Sequence, residues 1–325
     1  MRKGRHLILA LIGAALFTWV VARVGLPAIL QQLKAMRLAL PILLTLSVCR
    51  LLLQTTVWSA ALKSTGLSVA PERLIGIRLA SQSMGYLTFL GAVLSEPLKI
   101  KLLRTPTEST IKATFLDSGV YWFTSMLVAI IGCLCAASLA IHDAHYGWTA
   151  LAITLLSFVL FLIARTKPIL SAFVRVLGRR CPSWLAYGEA LERSIRNYRR
   201  QQPALVSRMF WIDVACQVLT VSEVAVVVWS LRLPIHLVTV LAIEGITRAL
   251  KMLSGWIPAR LGADEGGAMS AFLAAGLSPV SGLTLALTRR IRDLLWAFIG
   301  LAWLAWRSSG VTGYEQLKET YEVTP

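Results

Sequence analysis

Several stretches of about 20 residues in this chain carry almost no charge, and this feature restricts the fold more than any other. As a helix, such a stretch is long enough to cross the ~30 Å hydrocarbon core of a bilayer. Apolar residues make up 56% of the 325 residues and charged residues 15%, whereas soluble proteins average roughly 45–50% and about 25%. The sequence therefore predicts an all-α, polytopic transmembrane helical bundle, with residues 1–325 forming a single integral membrane domain.

The apolar segments predict about seven membrane spans. The first one follows Arg2, Lys3 and Arg5 in the manner of a signal peptide. It is longer than a signal-peptide core and has no small-residue cleavage site near its end, so we interpret it as an uncleaved helix. The predicted spans are 7–25, 38–62, 112–141, 147–165, 209–231, 237–256 and 283–306, followed by a polar tail over 307–325.

The distribution of basic residues predicts the topology. Ten of the residues from Arg165 to Arg208 are Lys or Arg, so the basic segment 166–208 should face the cytoplasm. The basic loop 99–112 should lie on the same side, whereas 142–147 has no Lys or Arg and should face outward. Both basic loops can be cytoplasmic only if the apolar segment 74–95 enters and leaves the membrane on one side. We therefore expect a re-entrant hairpin at 74–95 and a cytoplasmic N-terminus.

The stretch "SGWIPARLGADEGGAM" interrupts the apolar sequence near its C-terminal end with a proline, glycines and two acids. Pro258 disrupts a preceding helix, and Gly262 and Gly266 allow backbone geometries closed to other residues. Asp264 and Glu265 are costly in lipid, which predicts a polar cavity around a broken helix. A helix restarting near Gly266 would also place both acids at its N-terminus, so simple helix capping is an open alternative.

Other charges in apolar segments point toward the same cavity. Arg260 suits a phosphate-bearing headgroup, because a guanidinium binds phosphate through two parallel hydrogen bonds. Glu244 and Arg248 are four residues apart, the spacing at which an ion pair forms on a helix. Arg289 and Arg292 could instead anchor a helix at the cytoplasmic rim. Further charges in or beside apolar segments are Arg50, a candidate partner of Asp117, together with Glu96, Asp213, Glu223, Lys251, Arg290 and Asp293.

The two irregular regions resemble each other in sequence, which predicts an internal repeat with halves at about 1–165 and 209–306. Aligning Glu96 with Glu265 places small residues before each acid, and an apolar run and a turn after it. In many transporters built from repeats, the binding site lies where the repeats meet. Two unrelated polar loops would give the same pattern, and this alternative stays open.

The C-terminal motif "IPARLGADEGGAMSAFLAAGLSPVSGLTLALTRRIRDLLWAFIGL" resembles the membrane domain of lysylphosphatidylglycerol synthases and their standalone flippase-like relatives. Pro258, Gly262, Glu265, Gly266, Gly276 and Arg290 fit the family pattern of a proline, a glycine, Glu-Gly, an apolar helix, Gly-Leu and a basic helix. The segment "GAVLSEPLKIKLL" fits less fully, since Ser95 replaces a glycine and Pro97 follows Glu96. The resemblance implies the lipid-translocating part of that system in a bacterial inner membrane. The residues of the C-terminal motif are most similar to those of the hopanoid-associated branch.

We predict a flippase-like protein that moves a lipid or lipid-linked substrate. The alternatives are an accessory subunit of a lipid-biosynthesis complex and a membrane enzyme that modifies a lipid headgroup. No nucleotide-binding loop or metal-ligand spacing of Cys and His is present, so no cofactor or metal is expected. The expected partners are membrane lipids (anionic phospholipid, polyprenoid or hopanoid) and lipid-biosynthesis enzymes, and no nucleic acid. The predicted substrate-binding or translocation residues are Glu96, Glu244, Arg248, Pro258, Arg260, Gly262, Asp264, Glu265, Gly266 and Arg290.

Overall fold

The computed structural model describes residues 36–88, 91–103, 108–139, 155, 201–254 and 257–321. Within these residues the regular structure is helical, and no strand occurs. Eight α-helices follow one another, with a 3₁₀ turn at Pro258–Arg260 between the sixth and the seventh. They are α1 (Ala39–Lys63), α2 (Pro71–Leu87), α3 (Gly91–Leu103), α4 (Glu108–Leu139), α5 (Pro203–Ser230), α6 (Leu237–Leu253), α7 (Ala263–Ala274) and α8 (Pro279–Tyr321).

The helices repeat one order of lengths in the two halves. A long helix (α1 or α5) precedes a 17-residue helix (α2 or α6), then a short helix of 13 or 12 residues (α3 or α7), then a second long helix (α4 or α8). The halves interlock, because α2 packs on α8, α6 packs on α4, and α1 packs on α5. The acids aligned above differ in position, since Glu265 lies in the first turn of α7 while Glu96 lies in the middle of α3.

Three of the described helices are long and apolar enough to cross a membrane: Ala39–Lys63, Thr110–Leu139 and Pro203–Ser230. They correspond to the spans predicted at 38–62, 112–141 and 209–231. Helices also form at the spans predicted from 237 and from 283. However, α6 has only 17 residues, about 26 Å at 1.5 Å per residue, and α8 extends through the predicted polar tail to Tyr321. The spans predicted at 7–25 and 147–165 and most of the basic segment 166–208 lie outside the described residues.

The region predicted as a re-entrant hairpin consists of two helices packed against each other, α2 and α3. The first helix ends at Leu87, within the predicted segment, but the second runs to Leu103, past the predicted end at residue 95. The expectation of a basic loop over 99–112 was therefore wrong for residues 99–103, which belong to α3. Lys99 is helical and only 5% exposed, because its ammonium group pairs with Glu96 at 2.8 Å and lies 5.9 Å from the ring centre of Trp58.

Polar side chains lie inside the bundle and large apolar side chains lie on its surface. Arg78, Asp117, Glu223 and Glu244 are all less than 5% exposed. On the outside, apolar side chains are exposed on three long helices, which is the distribution expected where the solvent is lipid. These side chains include Ile42, Val48 and Leu52 on α1, Trp211 and Val218 on α5, and Phe298 and Trp306 on α8.

The two halves approach each other closely at a pair of glycines. Gly132 on α4 and Gly245 on α6 face each other, and a Cβ atom on Gly132 would lie 2.6 Å from the Cα atom of Gly245. Small residues allow two membrane helices to approach until their backbones touch. This contact positions α6, and with it Glu244 and Arg248, against the rest of the bundle.

We expect Gly132→Ala to lower the free energy of unfolding by about 1–3 kcal/mol, because the added methyl group overlaps the backbone of α6. Gly119→Ala, on the same helix, is the matched control, since a Cβ atom there meets nothing within 4 Å. That change should leave stability unchanged or raise it by up to about 1 kcal/mol. The two variants are compared by thermal unfolding in detergent, and equal midpoints would contradict the packing described here.

Candidate functional site

A cavity of about 490 Å³ lies within the bundle, and charged side chains dominate its wall. Seven of the eight α-helices contribute to it, α7 being the exception, so both halves of the chain form one site. We call it the polar cavity. Its lining includes eight basic side chains, Arg50, Arg78, Lys99, Arg248, Lys251, Arg260, Arg289 and Arg292, and six acidic ones, Glu96, Asp117, Asp213, Glu223, Glu244 and Asp293.

The carboxylate of Glu244 binds two arginines, one on its own helix and one on another. One of its oxygens accepts hydrogen bonds from Arg248, one turn later on α6, at 3.0 and 2.5 Å. Its other oxygen pairs with Arg289 of α8 at 2.6 Å. Arg248 also donates to Gln217 of α5, and to Ser125 of α4 at 3.1 Å. The Glu244–Arg248 pair expected from the sequence is present, and it connects four helices.

Glu223 plays the corresponding part on α5. It pairs with Arg292 of α8 and, at 3.6 Å, with Arg50 of α1. Arg292 also donates to its neighbour Asp293 at 2.8 Å. Arg289 and Arg292 are therefore buried pairing partners rather than rim anchors, since each is less than 10% exposed.

Arg50 was a candidate partner of Asp117, and this pairing is wrong. Asp117 pairs instead with Arg78 of α2 at 2.5 Å, and Arg78 also donates to Gln54 at 3.4 Å. Arg50 reaches Glu223, which lies on the helix that packs against its own. The four residues concerned lie on four different helices, and only the folded bundle defines how these helices are rotated relative to one another.

The broken stretch holds Arg260 in an unusual backbone conformation. Ala259 and Arg260 have φ values of 49° and 47°, and Gly262 has 80°. Positive φ is costly for non-glycine residues and persists only where surrounding contacts enforce it. Here Ala259 is buried against α2 and α8, and Arg260 pairs with Asp264 at 3.2 Å and stacks 5.7 Å above the ring of Tyr86.

Helix α7 begins at Ala263, three residues before the predicted restart. Gly262 is its N-cap, and the Gly262 N–H donates to a Glu265 carboxylate oxygen at 2.9 Å. The other oxygen of Glu265 pairs with Arg290 of α8 at 2.7 Å. Glu265 therefore caps its helix and also fixes that helix to α8.

The predicted site residues fall into two groups by position. Glu96, Glu244, Arg248 and Arg260 line the polar cavity. Asp264 and Glu265 pair with Arg260 and Arg290 respectively, so they support the wall without lining it. Pro258 begins the 3₁₀ turn, Gly262 caps α7, and Gly266 has open space around its Cα atom. These three residues shape the backbone, and Arg290 lies with them outside the lining.

Two charged side chains of the cavity lining form no ion pair with a described residue. Among the described residues, Lys251 forms no ion pair, although the fields of Asp264 and Asp293 reach it. Asp213 likewise forms none, and its Oδ2 atom is buried without a hydrogen-bond partner. The remaining twelve charged groups of the lining belong to ion pairs. Among the described bases that line the cavity, Lys251 is therefore the one without an ion pair.

Among the wall residues that sequence reasoning missed are Arg78, Lys99 and Tyr86. A signal for Arg78 was present, since a base within an apolar segment marks an intramembrane charge. Lys99 was assigned to a loop, and Tyr86 gave no signal because its role depends on Arg260, far along the chain.

The comparisons with known proteins give one match. The family described as Lysylphosphatidylglycerol synthase TM region matches residues 7–301. No curated protein and no solved structure matches the chain.

We expect Glu244→Gln to lower the free energy of unfolding by about 3–5 kcal/mol, because it leaves two buried arginines without their carboxylate. Glu108→Gln is the control: it removes a pair with Lys112 at 2.9 Å in which the acid is 56% exposed. Such a surface pair contributes only about 0.3–0.5 kcal/mol. Chemical unfolding in detergent measures both, and similar losses would show that the buried network does not stabilise the bundle.

Proposed function

The chain belongs to the Lysylphosphatidylglycerol synthase TM region family, and we propose that it moves a lipid with an anionic, phosphate-bearing headgroup across the membrane. Membership in the family points to a membrane protein linked to lipid metabolism. The observation that carries the more specific proposal is the polar cavity, with its surplus of basic side chains and one unpaired lysine.

The charge pattern of the cavity favours an anionic guest. Eight bases face six acids, so the lining is net positive when all of them are ionised. Most arginines are already neutralised by carboxylates, which keeps the empty cavity stable. Lys251 is the base of the described lining that is left to bind an added phosphate, and a lysine ammonium binds phosphate as a compact point charge.

The neighbouring turn supports the same guest. Arg260 is held at the cavity wall by its strained backbone, by Asp264 and by the ring of Tyr86. It also lies 4.0 Å from a carboxylate oxygen of Asp293. Its guanidinium has five N–H donors, more than these contacts use, so further donors remain for a headgroup oxygen beside Lys251.

The polar wall also explains how a headgroup could cross while the hydrocarbon chains stay in lipid. A headgroup pays a large desolvation cost in hydrocarbon, and a lining of paired charges, serines and glutamines offers it replacement contacts. We place this activity in a bacterial inner membrane. Its drive would come from an ion gradient, mass action or a partner, because the sequence has no nucleotide-binding loop.

The geometry disfavours the enzyme alternative. Acid–base catalysis by two carboxylates needs both near one reacting atom with different proton affinities. Asp264 and Glu265 instead pair with separate arginines, Arg260 and Arg290, and neither lines the cavity. Their contacts are those of groups that hold a broken helix in place.

We expect Lys251→Gln to slow lipid translocation about tenfold or more, because one charge-assisted hydrogen bond is worth roughly 1.5–3 kcal/mol. The purified protein is placed in phosphatidylcholine vesicles with a trace of fluorescent phosphatidylglycerol. Dithionite, which bleaches only the outer leaflet, then reports the rate at which the probe changes leaflet. Lys63→Gln is the matched control, since Lys63 ends α1 and is exposed outside the cavity.

The two variants are also compared with a deletion in cells by leaflet-labelling lipidomics. One lipid class retained in a single leaflet, in both the deletion and Lys251→Gln, would support translocation and identify the substrate. Equal rates for Lys251→Gln and Lys63→Gln would contradict the assigned role of the cavity. A chemically altered lipid would identify an enzyme, and unchanged distribution and composition would favour the accessory alternative.

A further inference from the structure

A second pocket lies beside the polar cavity, between α1, α5 and α8. Its volume is about 250 Å³, and its lining is almost entirely apolar. We call it the apolar pocket. The apolar side chains that form it include Leu40, Leu43, Leu44, Val227, Leu285 and Leu295.

The two spaces share part of their walls. Glu223, Arg289 and Arg292 line both the apolar pocket and the polar cavity. These residues are neutralised by one another and by Glu244, so no free charge faces the leucines. An apolar site therefore adjoins a charged one across a single layer of ion-paired side chains.

The apolar pocket reaches the outer surface of the bundle. Leu295, on its lining, is 40% exposed, and Phe298 and Ile299 on the next turn of α8 are exposed as well. A hydrogen bond of 2.7 Å from Trp296 to Ser47 joins α8 to α1, and both residues line the polar cavity. The apolar pocket thus lies between helices that are joined to each other and that present apolar side chains outward.

We propose that the apolar pocket binds a hydrocarbon chain of the same lipid whose phosphate occupies the polar cavity. The inference rests on the proposed function and adds to it a binding site for the tail. A charged headgroup cannot remain among leucines, and a hydrocarbon chain gains free energy for each methylene group that it buries there. Only an amphipathic molecule satisfies both spaces at once. Such a molecule would pass from one space to the other beside Glu223, Arg289 and Arg292, which line both.

This assignment also accounts for the position of the charged wall. Arg289 and Arg292 stand where the headgroup of such a lipid meets its chain, and both belong to ion pairs. They therefore separate the two ends of the guest without attracting the phosphate away from Lys251. A free headgroup without a chain would leave the pocket empty, so the site selects a lipid over a soluble phosphate ester.

The test uses phosphatidylglycerol with a photoactivatable diazirine in one acyl chain, in nanodiscs that contain the full chain. Light followed by peptide mass spectrometry locates the label, and dithionite transport is measured on the same preparations. We expect labelling at Leu43 and Leu44. Leu44→Trp should reduce it about tenfold, since displacing two buried methylene groups already changes affinity by that factor.

Three further variants separate the tail site from general contact with lipid. Leu52→Trp is the control, because Leu52 lies on the same helix, is 47% exposed and lines neither space. Leu295→Trp blocks the pocket from its exposed side and serves if Leu44→Trp does not fold. Lys251→Gln should reduce labelling within the pocket while labelling of the outer surface stays constant, because head and tail belong to one molecule.

Each outcome decides the proposal. Transport without labelling in the pocket overturns the tail site and leaves translocation standing. Labelling that depends on Lys251 without any transport supports the tail site and overturns translocation. Labelling that is unaffected by Lys251→Gln, or a soluble glycerol phosphate that competes as well as the lipid, would overturn it.

Discussion

The structure depends on how charges are held inside a bundle whose outer surface is apolar. An unpaired charge in such a place costs several kcal/mol or more, so most of these charges lie beside an opposite charge. Glu223 and Glu244 meet this requirement by each holding two arginines. Because the arginines come from α1, α6 and α8, satisfying the charges also fixes the positions of the helices. The same ion pairs therefore neutralise the buried charges and hold the helices in place.

The same constraint maintains the polar cavity. Paired charges resist collapse of the space between them, because an apolar side chain entering it would remove their remaining contacts with water. The strained turn at Ala259 and Arg260 fits this arrangement. Its cost is offset by the ion pair with Asp264 and by the second link of α7 to α8 through Glu265 and Arg290. The broken stretch is thus fixed to the cavity wall through Arg260 and to α8 through Glu265.

The sequence was sufficient for features that depend on neighbouring residues. It predicted helices over 38–62, 112–141 and 209–231, the break around Pro258, and the Glu244–Arg248 pair, all of which follow from local apolar runs, helix-breaking residues or a spacing of four. It was insufficient for partners on different helices. Arg50 meets Glu223 rather than Asp117 because α1 packs on α5, and Lys99 is buried because Glu96 and Trp58 neutralise or cover it.

Under the proposed function, the contrast between paired and unpaired charges would make the cavity selective for a phosphate-bearing headgroup. If every base were paired, a phosphate would have to displace a carboxylate. The free energy lost with the original ion pair would then cancel most of the free energy gained by binding the phosphate. If many bases were free, their positive charges would repel one another in the empty cavity. They would also bind a phosphate too tightly to release it. With Lys251 outside the ion pairs and Arg260 only partly satisfied, the proposed phosphate guest would find a partner at modest cost and could leave again. A protein that moves lipids must bind weakly enough to release them, and this balance of charges fits that requirement.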